Sequence, residues 1–169
     1  MSVTQFANLS SFAEQMLVHE HAIVKIRDDM PLDRAALIGC GVTTGVGSVF
    51  HTAKVQPGST VAVLGCGGIG LSCINGAALA GAGRIIAIDM VDSKLEMAKT
   101  FGATDTINGS DGKVVDQVRE LTGGGVHYSF EAIGLKATAE QAFSMLRQGG
   151  TATVIGMIPV GVKIELMGS

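Results

Sequence analysis

The sequence predicts an α/β fold: a doubly wound parallel sheet with helices on both faces. Three observations predict it. From Thr60 onward, short β-branched runs alternate with stretches of helical periodicity. Glycines punctuate the chain where strands turn into helices and where helices stop. The 169 residues are 47% apolar, which provides for a sizeable core.

The elements follow in order. Ser10–Val18 and Ala22–Ile26 read as two short strands joined around His19-Glu20-His21. Pro31 opens a helical stretch with Leu32, Ala35, Ala36 and Leu37 on its apolar side, and Gly39-Cys40-Gly41 interrupts it. A second helix runs from about Thr43 to Ala53, ended by a turn at Pro57-Gly58. The β-branched run from Thr60 is a strand, the glycine cluster after it opens an apolar helix, and Arg84–Asp89 is the next strand. Ser93 and Glu96 fit a capping box for the following helix, with Gly102 as its stop. Thr104–Ile107 is a weak strand. Val114, Val115, Val118 and Leu121 recur at helical spacing before a break at Gly123–Gly125. Tyr128–Ile133 is a strand, Ala139, Ala142, Phe143 and Leu146 mark a helix stopped by Gly149-Gly150, and Thr151–Met157 and Val162–Leu166 are the last two strands.

The chemistry is concentrated between Thr60 and Lys94. Gly65, Gly67 and Gly70 fill G-x-G-x-x-G, Gly68 is an additional glycine, and Asp89 follows Gly70 by 19 positions (89 − 70). Gly65 permits a tight turn off the strand. Gly67 lets the backbone approach a pyrophosphate, and Gly70 lets helix pack on strand. The helix N-terminus then offers unpaired N–H groups and a positive dipole end to phosphates. Asp89, at the end of the second strand, accepts from the hydroxyls of an adenosine ribose. Strand, glycines, helix, strand and acid in this order predict a Rossmann-type domain that binds a dinucleotide. An acid at the ribose favours NAD over NADP, whose 2′-phosphate would meet a like charge.

Composition excludes other classes. One Tyr, no Trp and a formal charge of −3 without a basic cluster argue against nucleic-acid or anionic-membrane partners. Thr60–Gly83 carries no charge, but its glycine turn splits it into strand and helix, so no membrane span is expected there. Cys40, Cys66 and Cys73 form no C-x-x-C, and the N-terminus has no basic region followed by an apolar one. A cytoplasmic protein without a signal peptide is the expectation.

These residues resemble the zinc-dependent alcohol dehydrogenases of the medium-chain dehydrogenase/reductase superfamily over nearly the whole chain. LIGCGVTTGVGSV at Leu37–Val49 is similar to that family's hinge segment, VLGCGGIGL at Val63–Leu71 to its coenzyme loop, and FEAIG at Phe130–Gly134 and VIGM at Val154–Met157 to segments lining its nicotinamide site. The glutathione-dependent formaldehyde dehydrogenase and nicotinoprotein alcohol dehydrogenase classes look nearest. The resemblance implies roles. Cys40 stands where the third catalytic zinc ligand stands, and Thr44 where a threonine contacts the nicotinamide. Ile69 stands where an aliphatic side chain presses on the ring, and Ile133 lies in the FEAIG segment. Asp89 and Lys94 stand where the ribose is held, and Ile155 and Met157 where main-chain groups meet the carboxamide. The family's other two zinc ligands, its structural-zinc lobe and its proton relay match nothing in this sequence.

The resemblance thus implies residues 1–36 as the tail of a catalytic domain with a lead-in helix, contributing the short β segment, and 37–169 as an NAD-binding domain. The intact enzyme would use NAD and zinc to transfer hydride between an alcohol or aldehyde and the nicotinamide. The 169 residues alone would bind NAD, hold no zinc and oxidise no alcohol. The family's dimer joins sheets through their last strands, which implies a homo-oligomer with Val162–Leu166 at the edge. Rival readings are the coenzyme domain of a zinc-free quinone or enoyl reductase, which Cys40 disfavours, and a stand-alone dinucleotide-binding module. A methyltransferase with a similar loop fits Lys94 and Leu37–Val49 poorly. Cys66 and Cys73 read as core or helix-face thiols, His19 and His21 as a solvated strand end, His51 and His127 as partnerless, and Glu131 as a strand-end carboxylate.

Overall fold

Five parallel strands form the sheet in the computed structural model, which describes residues 13–168. They are β1 (Thr60–Leu64), β2 (Arg84–Asp89), β3 (Asp105–Asn108), β4 (Val126–Glu131) and β5 (Leu146–Val154). Their spatial order is β3-β2-β1-β4-β5. The chain builds outward from β1 in one direction through β3, then returns to the other side of β1 with β4. The switch between β1 and β4 is where an open α/β sheet leaves a crevice at its carboxyl ends.

The period of two along β1 fixes the layers. Val61 and Val63 join an apolar cluster with Ile74, Ile85, Leu95 and Phe130. Ala62 and Leu64 join a second with Ile86, Ile107, Val118 and Ala142. The first is covered by α3 (Gly68–Leu79) and α4 (Asp92–Thr100), the second by α5 (Val114–Thr122) and α6 (Lys136–Ser144). The predicted doubly wound sheet is therefore observed.

The chain divides into two units, Met1–Ala35 and Ala36–Ser169. Among the described residues of the first, the expected strands are not found. Residues 1–12, including the start of Ser10–Val18, lie outside the described residues. Residues 13–18 and 23–26 form no strand, and Glu20–Ala22 is a 3-10 turn capped by the His19 ring. Leu17 is 99% exposed. A β-propensity run becomes a strand only when another strand takes up its backbone hydrogen bonds, and none does so among these residues. The short β segment of the sequence reading is corrected accordingly.

The Gly39-Cys40-Gly41 interruption is also corrected. After α1 (Leu32–Ala35) the chain winds through a π-helical turn at Ile38–Val42, then α2 (Thr43–Gly47), then a second π turn at Ser48–Ala53. The Thr43 hydroxyl donates to the Ile38 carbonyl at 2.6 Å, holding the wide turn. Lys54, with φ of 53°, ends the run before Pro57 is reached. This 22-residue run, with mean hydropathy 1.2, is long and apolar enough to cross a bilayer by length and composition. Gly45 and Val49 within it instead pack on α3 of the same unit.

Three further boundaries differ. The Ser93–Glu96 capping box does not form: α4 starts at Asp92, Val91 is its cap, and Glu96 pairs with Lys99 at 2.6 Å. Gly149-Gly150 does not stop the helix, which ends before Met145. Both glycines lie within β5, where Gly149 takes φ of 75° at a register shift against β4. Finally, β5 ends at Val154, and Val162–Leu166 is not a strand. That segment is tied to α6 by the Glu165 N–H on Glu140 at 2.9 Å and by Lys136 on Glu165 at 3.2 Å.

Candidate functional site

The glycine loop leaves the end of β1 and enters α3. Gly65 has φ of 93°, and a Cβ there would stand 2.7 Å from the Ile133 side chain. Gly70 packs face-on against the Gly65 carbonyl, so a Cβ at Gly70 would collide with backbone. Gly67 and Gly68 are different: a Cβ at either would meet nothing within 4 Å. Gly67 is the α3 cap and has no side chain to bond the first turn. The leading N–H groups of a helix have no intrahelical partners of their own, and at Gly67 and Gly68 no side chain crowds the start of α3. A helix start of this kind can receive an anion.

Asp89 closes one side. Its Oδ2 accepts the Cys66 N–H at 2.8 Å, and its Oδ1 accepts the N–H groups of Met90 at 2.8 Å and Val91 at 3.1 Å. Lys94 Nζ lies 3.9 Å from Oδ2. One carboxylate thus ties the phosphate loop to the end of β2. It also holds the amides of Met90 and Val91 just ahead of α4. The side chain is 11% exposed, so the carboxylate still reaches the surface of the cleft.

That cleft measures about 430 Å³ and lies at the carboxyl ends of β1, β2 and β4. Gly65, Gly67, Asp89 and Lys94 line it together with Ile133. Thr44, Ile69, Ile155 and Met157 do not line it. Ile69 and Ile155 pack against the cluster on the α3 side, and Met157 is 89% exposed. The Thr44 carbonyl accepts from the Ser48 hydroxyl at 2.6 Å. The structure therefore brings Gly65, Gly67, Asp89, Lys94 and Ile133 into one cleft and leaves Gly68, Gly70, Thr44, Ile69, Ile155 and Met157 outside its lining.

Cys40 is exposed in the first π turn, and among the described residues no group of three or more His, Cys, Asp or Glu stands close enough to hold a metal ion. A catalytic zinc takes about three protein ligands. The residues present do not fit zinc. The thiols of Cys66 and Cys73 are buried. Burial first, and then the Asp89 carboxylate, push Cys66 up to about 12; burial pushes Cys73 up to about 12. Both stay as thiols at neutral pH and are not nucleophiles. His127, partnerless in the sequence, accepts the Thr60 N–H at 3.1 Å and lies 2.7 Å from the Arg147 guanidinium.

Glu131 is the residue the sequence reading undervalued. It is fully buried at the end of β4, and three donors converge on its Oε1. A carboxylate closing a strand that leads into a glycine turn was the available signal.

The profile of the zinc-binding dehydrogenase family matches residues 68–168. The chain belongs to that family. It is 44% identical over 166 residues to an alcohol dehydrogenase class-3 of Pisum sativum, covering 96% of this chain and 44% of that protein. It is 46% identical over 156 residues to alcohol dehydrogenase-like 5 of Arabidopsis thaliana, covering 90% and 40%. Among solved structures, an alcohol dehydrogenase zinc-binding domain protein from Burkholderia ambifaria superposes with a TM-score of 0.82 at 41% identity, over 85% of this chain and 39% of that one. The benzyl alcohol dehydrogenase of Acinetobacter calcoaceticus does so with a TM-score of 0.82 at 35% identity, over 85% and 40%. The chain spans less than half the length of these relatives. What it matches is one region of these alcohol dehydrogenases.

Proposed function

We propose that residues 37–169 bind NAD, with the adenosine ribose on Asp89 and Lys94 and the pyrophosphate on the amides at Gly67 and Gly68. The observation that carries this reading is the open space at Gly67 and Gly68 beside a carboxylate already locked to the loop. NAD, when bound, supplies the hydride acceptor. The chain's part is to hold and orient it: the cradle fixes the phosphates, Asp89 fixes the ribose, and Gly65 brings the loop against Ile133. Calorimetric titration with NAD tests the reading.

The full-length protein is proposed to be a cytoplasmic NAD-dependent alcohol dehydrogenase acting on a small alcohol or aldehyde, with residues 1–36 part of its catalytic domain. Thr44, Ile69, Ile155 and Met157 would approach the nicotinamide there. Support comes from the alcohol dehydrogenases named above, and no nucleic-acid or membrane partner is proposed. The 169 residues are expected to hold no stoichiometric zinc and to oxidise no alcohol, since Cys40 is the lone ligand from the family set. Metal analysis after dialysis, with an NADH absorbance assay, reads both. One tightly held zinc per chain would overturn this.

A homo-oligomer is proposed through the free edge of β5 and the segment beyond it, where Met157, Val160 and Met167 are exposed. An open strand edge is a template for pairing with a second copy. Light scattering is expected to give at least a dimer; a monomer at tens of micromolar would contradict it.

A further inference from the structure

We propose that Glu131 is a positioning residue for the nucleotide: it builds the wall of the cleft opposite Asp89 without itself facing the cleft. The inference rests on the reading that the cleft takes NAD. Glu131 is 0% exposed, at the carboxyl end of β4 between β1 and β5. Its Oε1 accepts the Ile133 N–H at 3.0 Å, the Gly134 N–H at 2.8 Å and the Thr138 hydroxyl at 2.7 Å. Its main-chain carbonyl accepts the N–H groups of Ile155 at 2.8 Å and Gly156 at 3.1 Å. One residue thereby holds the turn from β4 into α6 and the chain leaving β5.

That turn and the start of α6 are cleft wall. Ala132, Ile133, Leu135, Ala137 and Thr138 all line the cavity that Asp89 and Gly67 line. The cap of α6, Leu135, makes no side-chain bond of its own; Glu131 instead holds the two amides ahead of it and the Thr138 hydroxyl in the first turn of the helix. Ile133 bears on Gly65, which passes the position of the turn to the glycine loop.

The other oxygen, Oε2, is buried and has no hydrogen-bond partner among the described residues. A Cβ on Gly156 would stand 2.6 Å from it, and 2.5 Å from the Gly134 Cα. Glycine at 156 therefore admits the carboxylate and the turn side by side. A buried oxygen without a donor is costly. A turn that needed only a spacer would be served by an apolar side chain at this position. The acceptor at Oε1 is what Glu131 provides, and an amide oxygen supplies the same acceptor.

The test measures NAD affinity by calorimetry and folding by thermal unfolding on the full chain. Glu131→Ala is expected to weaken NAD about tenfold or more, from loss of the three hydrogen bonds that Oε1 accepts. Glu131→Gln is expected to restore affinity to within about threefold of the parent. Thr138→Val, which removes one donor, is expected to weaken NAD by a smaller factor, about two- to fivefold. A Glu131→Ala protein that folds and binds NAD like the parent overturns the role. So does a Glu131→Gln protein as weak as the alanine variant. Should Glu131→Ala fail to fold, Thr138→Val decides: parental affinity overturns the proposal and a measurable loss supports it. A parent that binds no NAD overturns the functional reading and this inference together, whereas an unaffected variant of a binding parent overturns this inference alone.

Discussion

Gly70→Ala is expected to unfold the Ala36–Ser169 unit or lower its Tm by several degrees, while Gly67→Ala leaves the Tm unchanged and abolishes measurable NAD binding. The two glycines stand three residues apart in one motif and fail for opposite reasons. A Cβ at Gly70 drives into the Gly65 carbonyl, which is main chain and cannot swing aside. Overpacking of this kind costs about 1–3 kcal/mol, and more when only backbone can move. A Cβ at Gly67 meets nothing, so folding is indifferent to it. It would fill the space where a pyrophosphate approaches the amides of α3. Thermal unfolding and calorimetry on both variants separate the two effects. A Gly67→Ala chain that binds NAD like the parent would remove the phosphate cradle from this account.

Asp89→Ser is expected to weaken NAD by about an order of magnitude or more and to narrow the preference over NADP. The loss has two sources. The ribose hydroxyls lose a charged acceptor, at roughly 1.5–3 kcal/mol per hydrogen bond. The Cys66, Met90 and Val91 amides lose theirs as well, and with them the tie between the loop and β2. The variant should therefore also melt lower than the parent, which a residue serving the ribose alone would not do. Affinity for NAD and NADP, measured beside Tm, checks both. An unchanged NAD-to-NADP ratio would contradict the role of Asp89.

Much of this was legible in the sequence because the signals are local. The glycine spacing, the apolar run of β1 and the acid closing β2 each follow from neighbouring residues. What was missed depends on partners that spacing does not reveal. Ser10–Val18, as far as it is described, and Ala22–Ile26 carry β-branched and apolar residues but have no second strand beside them among the described residues. The Ser93 box does not form because the helix begins one residue earlier, at Asp92 with Val91 as its cap, which puts Ser93 inside the first turn. Gly149-Gly150 terminates nothing because the register shift between β4 and β5 uses it. The clustering of Thr44, Ile69, Ile155 and Met157 around a nicotinamide is implied by the resemblance, and in these 169 residues they stand outside the cleft that Asp89 lines. Glu131 looked like an ordinary strand-end carboxylate, since its three donors come from a turn and a helix that only the fold brings back onto it.

The central claim is that Gly67, Gly68 and Asp89 make a site for NAD. Titrating the 169-residue chain with NAD and, separately, NADP tests it most directly. The account predicts saturable binding of one NAD per chain and distinctly weaker binding of NADP. No saturable NAD binding, or equal affinity for the two, would contradict it.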